Sequence, residues 1–207
     1  MNKTLNTLLG AMLLVGSASA FAASSVDLTV TGIITPSACE PTLSQGGLVD
    51  YGKLSAKDLN ADRPTALDTK TLQFILTCDA ATLAAIEAKD NRDGTDFNND
   101  SMEYGLGLIN GDEKLGAMTL RLLSPVADDI GVRTVASEDG GATWYAERYL
   151  MRSNIMSVAD ASAVTPVPFQ RWTSDLQIAP RIAPTNQLTL TNEVAIDGSV
   201  TMTVRYL

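Results

Sequence analysis

Histidine is absent from the 207-residue sequence, which removes the side chain that most often performs acid–base chemistry near neutral pH. A Ser-His-Asp triad, a Cys-His pair and a histidine-ligated zinc are therefore excluded. The chain has 24 acidic residues, but glycoside hydrolysis needs two carboxylates at a defined separation, usually near aromatic side chains. The two tryptophans, Trp144 and Trp172, are expected in the core or beneath a turn. We predict no enzymatic activity, and a secreted hydrolase is the weakest alternative.

Cys39 and Cys78 are the two cysteines of the chain and lie 39 residues apart. A redox pair would normally have C-x-x-C spacing, and a metal site needs more ligands than two thiols. In an exported chain, two such cysteines predict a structural disulfide. Closing a loop of this length is worth about 4 kcal/mol in the chain-entropy account.

Two short motifs could suggest a metal or a glycosidase. Residues 90–100 (D-N-R-D-G-T-D-F-N-N-D) are rich in oxygen donors, but from Asp96 an EF-hand pattern would have Ser101 at position 6 and Gly107 at position 12. We predict a polar, solvated loop that binds no metal. Residues 137–144 (S-E-D-G-G-A-T-W) resemble the Asp-box turn of sialidase-like propellers, but a propeller needs several blades. We predict only a well-made turn.

Composition excludes further classes of ligand. The formal net charge of −9 is unsuited to a nucleic-acid surface, which needs clustered lysine and arginine. Residues 105–107 (G-L-G) lack the third glycine and the following helix of a dinucleotide site, so we expect a strand with close neighbours. No cofactor is predicted.

The first residues are typical of a secretory signal peptide, assigned to residues 1–22, with a single domain over 23–207. Lys3 gives the positive start, residues 8–15 the apolar stretch and residues 20–22 (A-F-A) the cleavage site, with cleavage after Ala20 or Ala23 as alternatives. An uncleaved membrane anchor is the less favoured interpretation, and no later segment is long and apolar enough to span a bilayer. We therefore expect a location in the periplasm or at the cell surface.

Hydrophobic residues recur with a period of two, as in strands with one buried face. Asn110-Gly111 and residues 139–141 (D-G-G) are hairpin signals between such runs. Residues 79–88 have helix-forming composition, but we favour a turn followed by a strand from Leu83. These patterns predict an all-β, antiparallel sandwich. The alternating runs are Val26, Leu28 and Val30; Leu72, Phe74, Leu76 and Cys78; Tyr104, Leu106 and Leu108; Met118, Leu120 and Leu122; Leu188 and Leu190; and Val200, Met202, Val204 and Tyr206.

Three stretches resemble the subunits of chaperone–usher pili: residues 32–39 (G-I-I-T-P-S-A-C), residues 72–78 (L-Q-F-I-L-T-C) and the terminal residues 200–207 (V-T-M-T-V-R-Y-L). The chain is also similar to an exported, fimbria-like bacterial family that carries only a domain-of-unknown-function label. That closer resemblance rests on four further stretches. They are residues 49–52 (V-D-Y-G), 90–92 (D-N-R), 104–107 (Y-G-L-G) and 197–199 (D-G-S).

The resemblance implies an immunoglobulin-like sandwich that lacks its last strand and receives one from a periplasmic pilus chaperone or from another fimbrial subunit. Carried over to this sequence, Val200, Met202, Val204 and Tyr206 would border the borrowed strand. Val26, Leu28 and Val30 would be the donor side chains. The function implied is structural, in cell-surface adhesion. The alternative is a self-contained periplasmic binding domain of the same fold that does not polymerise and uses residues 26–34 in its own sheet.

Overall fold

A computed structural model describes residues 28–32 and 38–207 of the chain. The chain divides into two units, residues 1–34 and 35–207. In the first unit, residues 28–32 form no strand, and Leu28 and Val30 are exposed at 89% and 85%. The signal peptide assigned to residues 1–22 and the candidate donor residue Val26 lie outside the described residues. The sandwich domain described below belongs to the second unit.

The described residues of the second unit form strands with short 3-10 helices between them, which confirms the predicted all-β class. The 3-10 helices are Ser44–Gly47, Ala56–Asp58 and Thr185–Gln187. The strands are β1 Cys39–Leu43, β2 Thr65–Ala66, β3 Lys70–Thr82, β4 Ala84–Asp90, β5 Glu103–Gly105, β6 Leu108–Ile109, β7 Glu113–Lys114, β8 Gly116–Ala127, β9 Ile130–Gly131, β10 Arg133–Ser137, β11 Tyr145–Ala146, β12 Tyr149–Leu150, β13 Ile155–Ala159, β14 Phe169–Ile182 and β15 Val200–Tyr206.

Two antiparallel sheets form the sandwich. The first has the order β1-β3-β14-β8-β12, with the short strands β2, β5 and β9 added to β14 and β8. The second has the order β11-β10-β13-β4-β15. Strands β6 and β7 form a separate hairpin around Asn110 and Gly111, both at positive φ, as the turn signal predicts.

The core lies between the two sheets and follows the predicted alternation. Leu72, Phe74, Leu76 and Cys78 are all buried on β3, because alternate residues of a strand point to one face. Trp172 on β14 is fully buried and packs edge-on against Phe74, with ring centroids 5.2 Å apart. Its indole N–H donates to Ser174 Oγ at 2.8 Å, so the buried polar atom is satisfied.

The order of the described strands corresponds to that of six strands, A to F, of an immunoglobulin sandwich. In that fold one sheet has the order A-B-E-D, and the other contains C, F and G. Strands β1, β3, β14 and β8 occupy the positions of A, B, E and D, and β4 and β15 those of C and F. In that fold strand G pairs with F, so its position is on the outer side of β15.

The strand favoured over helix at residues 79–88 forms as β4, from Ala84, because tertiary pairing with β13 and β15 overrides helix propensity. The turn predicted before it is wrong, because residues 79–82 continue strand β3. Leu188 and Leu190 lie outside any strand and instead pack beside Ile109 and Leu115 in a satellite apolar cluster, so the strand predicted there is wrong. Leu108 is 48% exposed, because the alternation of its run ends at the hairpin.

Candidate functional site

The candidate site is the side of the sandwich where β1 and β15 lie at the edges of their sheets, each paired on one side only among the described residues. Among the described residues, β1 pairs only with β3, and β15 pairs only with β4. Each outer edge therefore carries backbone N–H and C=O groups that could pair with a further strand. Cys39 lies opposite Cys78 in the β1–β3 register, and their disulfide fixes β1 to the first sheet, which confirms the predicted pairing.

An apolar groove of about 270 Å³ separates these two edges, and we call it the edge groove. Its lining comes from both sheets and from the segments before and after the edge strands. The apolar side chains that line it include Leu43, Val49, Leu72, Leu106, Met118, Leu120, Leu176, Ile178, Ile196, Val200 and Met202. Alternate apolar side chains of an added strand would fit such a lining.

Strand β15 presents its predicted inward face to the core. Val200, Met202 and Val204 are half-buried and pack against the core cluster, whereas the intervening residues are exposed. Tyr206 differs, because its side chain is 43% exposed. Its hydroxyl oxygen accepts a hydrogen bond from the backbone N–H of Cys39 at 3.0 Å. This bond joins β1 and β15 at one end of the groove.

The other end of the groove is shaped by the segment that leads into β15. A Cβ at Gly198 would lie 2.8 Å from Leu106 Cδ2 and 3.2 Å from Met118 Cε, so a larger residue here would require these side chains to shift. The Arg92 guanidinium donates two hydrogen bonds to the Asp197 carboxylate, at 2.8 and 2.7 Å. Hydrogen bonding from Arg92 lowers the pKa of Asp197, and the same pair raises the pKa of Arg92.

The Arg92–Asp197 ion pair should stabilise the fold, and protonation of Asp197 at low pH should remove this stabilisation. The pKa of Asp197 is lower in the folded chain than in the unfolded chain. The carboxylate therefore contributes fully to the free energy of unfolding above its pKa in the unfolded chain, and this contribution is lost as the pH falls through its pKa in the folded chain. We expect Asp197→Asn to lower the free energy of urea unfolding at pH 7, and we expect the deficit to shrink steadily below about pH 4. An equal deficit at pH 7 and at pH 2 would contradict this role.

Six of the eleven residues of the acidic loop at 90–100 are exposed, as expected of a solvated loop, but two of its carboxylates are buried. Asp90 and Asp96 are 4% and 0% exposed, because the loop folds back against the sandwich and protein groups take the place of water. Asp90 accepts from the backbone N–H of Gly105 at 2.8 Å, and Arg152 lies 3.3 Å from Asp96. No group of carboxylates in the described part of the chain is arranged to hold a metal ion.

Glycine is required where the chain returns beside this loop. A Cβ at Gly105 would lie 2.0 Å from Thr95 Oγ1 and 2.7 Å from the backbone oxygen of Arg92. The G-L-G stretch is therefore a place of close backbone approach, as predicted, and its first glycine ends strand β5.

The Asp-box-like motif forms a hydrogen-bonded turn between β10 and β11. Ser137 Oγ accepts from the Gly141 N–H at 2.8 Å, and Asp139 accepts from the Thr143 N–H at 2.8 Å. The indole N–H of Trp144 donates to the backbone oxygen of Gly141 at 2.9 Å. The motif uses its polar atoms within the turn, which agrees with the structural role expected of it.

Part of the edge groove has no signal in the local sequence pattern. Alternation predicts the inward face of β15 but not Leu43, Val49 or Ile178, which line the groove from other segments. Alternation assigns a residue to a face of its own strand, but it does not show which strands lie at the edges. The candidate donor residues Leu28 and Val30 belong to the other unit and are in no strand.

Comparison with known proteins gives the family. A family model described as "Protein of unknown function (DUF1120)" matches residues 28–105. Protein GltF of Escherichia coli (strain K12) is 30% identical, and the match covers 95% of this chain and 95% of GltF. The chain belongs to the DUF1120 family. A second relative, Uncharacterized protein YhcF of the same strain, is 26% identical over 95% of this chain and 98% of its own length. In the described part of this DUF1120 protein, no helix is long and apolar enough to cross a membrane.

Proposed function

We propose that the chain is an exported, pilin-like structural subunit whose edge groove receives a β-strand from a periplasmic chaperone or from a neighbouring subunit. The observation that carries the proposal is the order of strands, in which the position of the seventh immunoglobulin strand, beside β15, has no strand of this chain among the described residues. An added strand would pair with the free edge of β15 and place its apolar side chains in the groove.

Export is part of the same proposal. The Cys39–Cys78 disulfide suits an oxidising compartment, since thiols are kept reduced in the cytosol. The signal-peptide pattern at residues 1–22 provides the route to the periplasm or to the cell surface.

The proposed donor is the segment that follows the signal peptide in a neighbouring copy. Val26, Leu28 and Val30 alternate with polar residues, so one face of an extended segment would be apolar. Leu28 and Val30 are among the most exposed large apolar side chains in the described residues. Exposed apolar side chains that lie close together, as Leu28 and Val30 do in the sequence, indicate a segment that interacts with another protein surface.

A self-contained periplasmic binding domain is the second candidate, and one contact favours it. The hydrogen bond from the Cys39 N–H to Tyr206 joins the two edges directly at one end of the groove. The distance from Ala23 to Cys39 is also short, 39 − 23 = 16 residues, for both a donor strand and a core strand. This candidate predicts that the isolated monomer unfolds cooperatively and reversibly.

The first test is a pair of aspartate substitutions on opposite faces of β15. Met202 lines the groove, whereas Thr201 is exposed and lies opposite Lys89 in the register. With the chaperone present, we expect Met202→Asp to prevent accumulation in the periplasm and Thr201→Asp to accumulate at wild-type level. The neighbouring Val204→Asp should behave like Met202→Asp. Equal accumulation of the Met202 and Thr201 variants would contradict strand addition at this edge.

A binding measurement separates loss of strand addition from simple misfolding of the variant. Wild-type chain is titrated with a synthetic peptide of residues 24–33 (S-S-V-D-L-T-V-T-G-I), and the matched control peptide carries Leu28→Asp. We expect saturable binding of the first peptide and at least a tenfold loss with the second, because one buried apolar side chain contributes roughly 1.5–3 kcal/mol. Equal binding of the two peptides would exclude this segment as the donor.

A further inference from the structure

A cleft on the opposite side of the sandwich from the edge groove carries an unusual set of cations. It lies between β8 and β10, and the segment that joins β11 to β12 closes it. Its volume is about 690 Å³, within the range of small-molecule sites. The backbone N–H of Leu122 donates to the Arg148 oxygen at 2.8 Å, which fixes this segment to β8.

Three arginines line this cleft: Arg121 on β8, Arg133 on β10 and Arg148 between β11 and β12. None of the three forms an ion pair in the described part of the chain. Of the other six arginines, four are ion-paired, and Arg63 and Arg171 are not. Three neighbouring arginines that form no ion pair are unexpected in a chain with a net charge of −9.

The one carboxylate in the cleft is engaged by backbone groups. Glu147 Oε1 accepts from the N–H groups of Arg148 and Tyr149, at 2.6 and 2.9 Å. The guanidinium of Arg121 lies over the Tyr149 ring, 4.9 Å from its centroid, and this contact holds the side chain in place. Its buried Nε has no hydrogen-bond partner among the described residues. Three positive charges therefore share the cleft with one negative charge.

We propose that this arginine cleft binds a small, multiply charged oxyanion through its phosphate or carboxylate groups. The planar guanidinium has a donor geometry that matches both groups, and two or more arginines around one ligand provide charge-assisted hydrogen bonds. The proposal is independent of strand addition, because the cleft residues come from β8, β10 and the β11–β12 segment and none of them lines the edge groove.

The test is calorimetric titration of the exported, mature chain at constant ionic strength, with inorganic phosphate in one arm and citrate in the other. Sodium chloride at matched ionic strength is the reference. We expect one site per chain for at least one of the two probes. Saturation by phosphate alone identifies a phosphate ligand, saturation by citrate alone identifies a carboxylate ligand, and either result supports the cleft.

Two charge-matched variants show whether the binding belongs to this cleft. Arg148 is exposed within the cleft, and Arg63 is an exposed arginine outside it that also lacks an ion pair among the described residues. We expect Arg148→Gln to weaken binding roughly tenfold or more, with an unchanged melting temperature, and Arg63→Gln to leave binding unchanged. No saturable binding of either probe, or equal loss in both variants, would overturn the proposal.

Discussion

Replacing Cys39 and Cys78 together with alanine is expected to lower the free energy of unfolding by about 4 kcal/mol. The disulfide joins directly opposed residues of β1 and β3 and closes a loop with a sequence separation of 39. Since β1 pairs only with β3 among the described residues, the disulfide is also what fixes this edge of the groove. Urea unfolding of the mature wild-type and double-variant chains measures the difference.

The matched control for this prediction is the wild-type chain in excess reductant. The reduced wild type and the double alanine variant should both unfold at lower urea concentration than the oxidised wild type, because both lack the cross-link. The alanine variant should have the lower midpoint of the two, because it also loses the buried Sγ of Cys78. A double variant as stable as the oxidised wild type would show that the cross-link adds nothing to the sandwich.

Replacing Arg152 with methionine is expected to cost about 3–5 kcal/mol, because it leaves a buried carboxylate without its cation. Asp96 is 0% exposed and lies 3.3 Å from the Arg152 guanidinium, which also contacts Asp93. The same guanidinium donates to the backbone oxygen of Asp100 at 2.7 Å, so it fixes the acidic loop at three points.

Arg205→Met is the matched control for that substitution. Arg205 pairs with Glu87 at the surface, where the two side chains are 58% and 43% exposed, so its loss should cost less than about 1 kcal/mol. Chemical denaturation of both variants measures the two costs. Similar costs for the Arg152 and Arg205 variants would contradict a structural role for the Arg152–Asp96 pair.

Local patterns predicted the fold where the period of two was long and unbroken. Leu72, Phe74, Leu76 and Cys78 share one parity and are buried together on β3. The cysteine pair was predictable because only one pairing exists for two cysteines in an exported chain. The prediction failed at Leu188 and Leu190, where two apolar residues are too few to distinguish a strand from a loop over a satellite cluster.

The residues of the candidate sites come from segments that are far apart in the sequence, so local patterns could not predict that they lie together. The inward face of β15 was predicted from alternation, but its place at a sheet edge follows from the order of all five strands. The burial of Asp96 in the acidic loop was not predicted, because its cation, Arg152, comes from a segment far along the chain. The three arginines of the cleft are similarly separated in sequence, so spacing alone gave no signal for them.

Strand addition at the edge groove is tested most directly by the mass of the protein extracted from the periplasm, measured by gel electrophoresis without boiling and by light scattering. We predict SDS-resistant multiples of the mature chain, or a one-to-one complex with a chaperone, and we expect Leu28→Asp to remove the multiples. A lone monomer near the mature mass that refolds reversibly by itself would contradict strand exchange and would favour a self-contained binding domain.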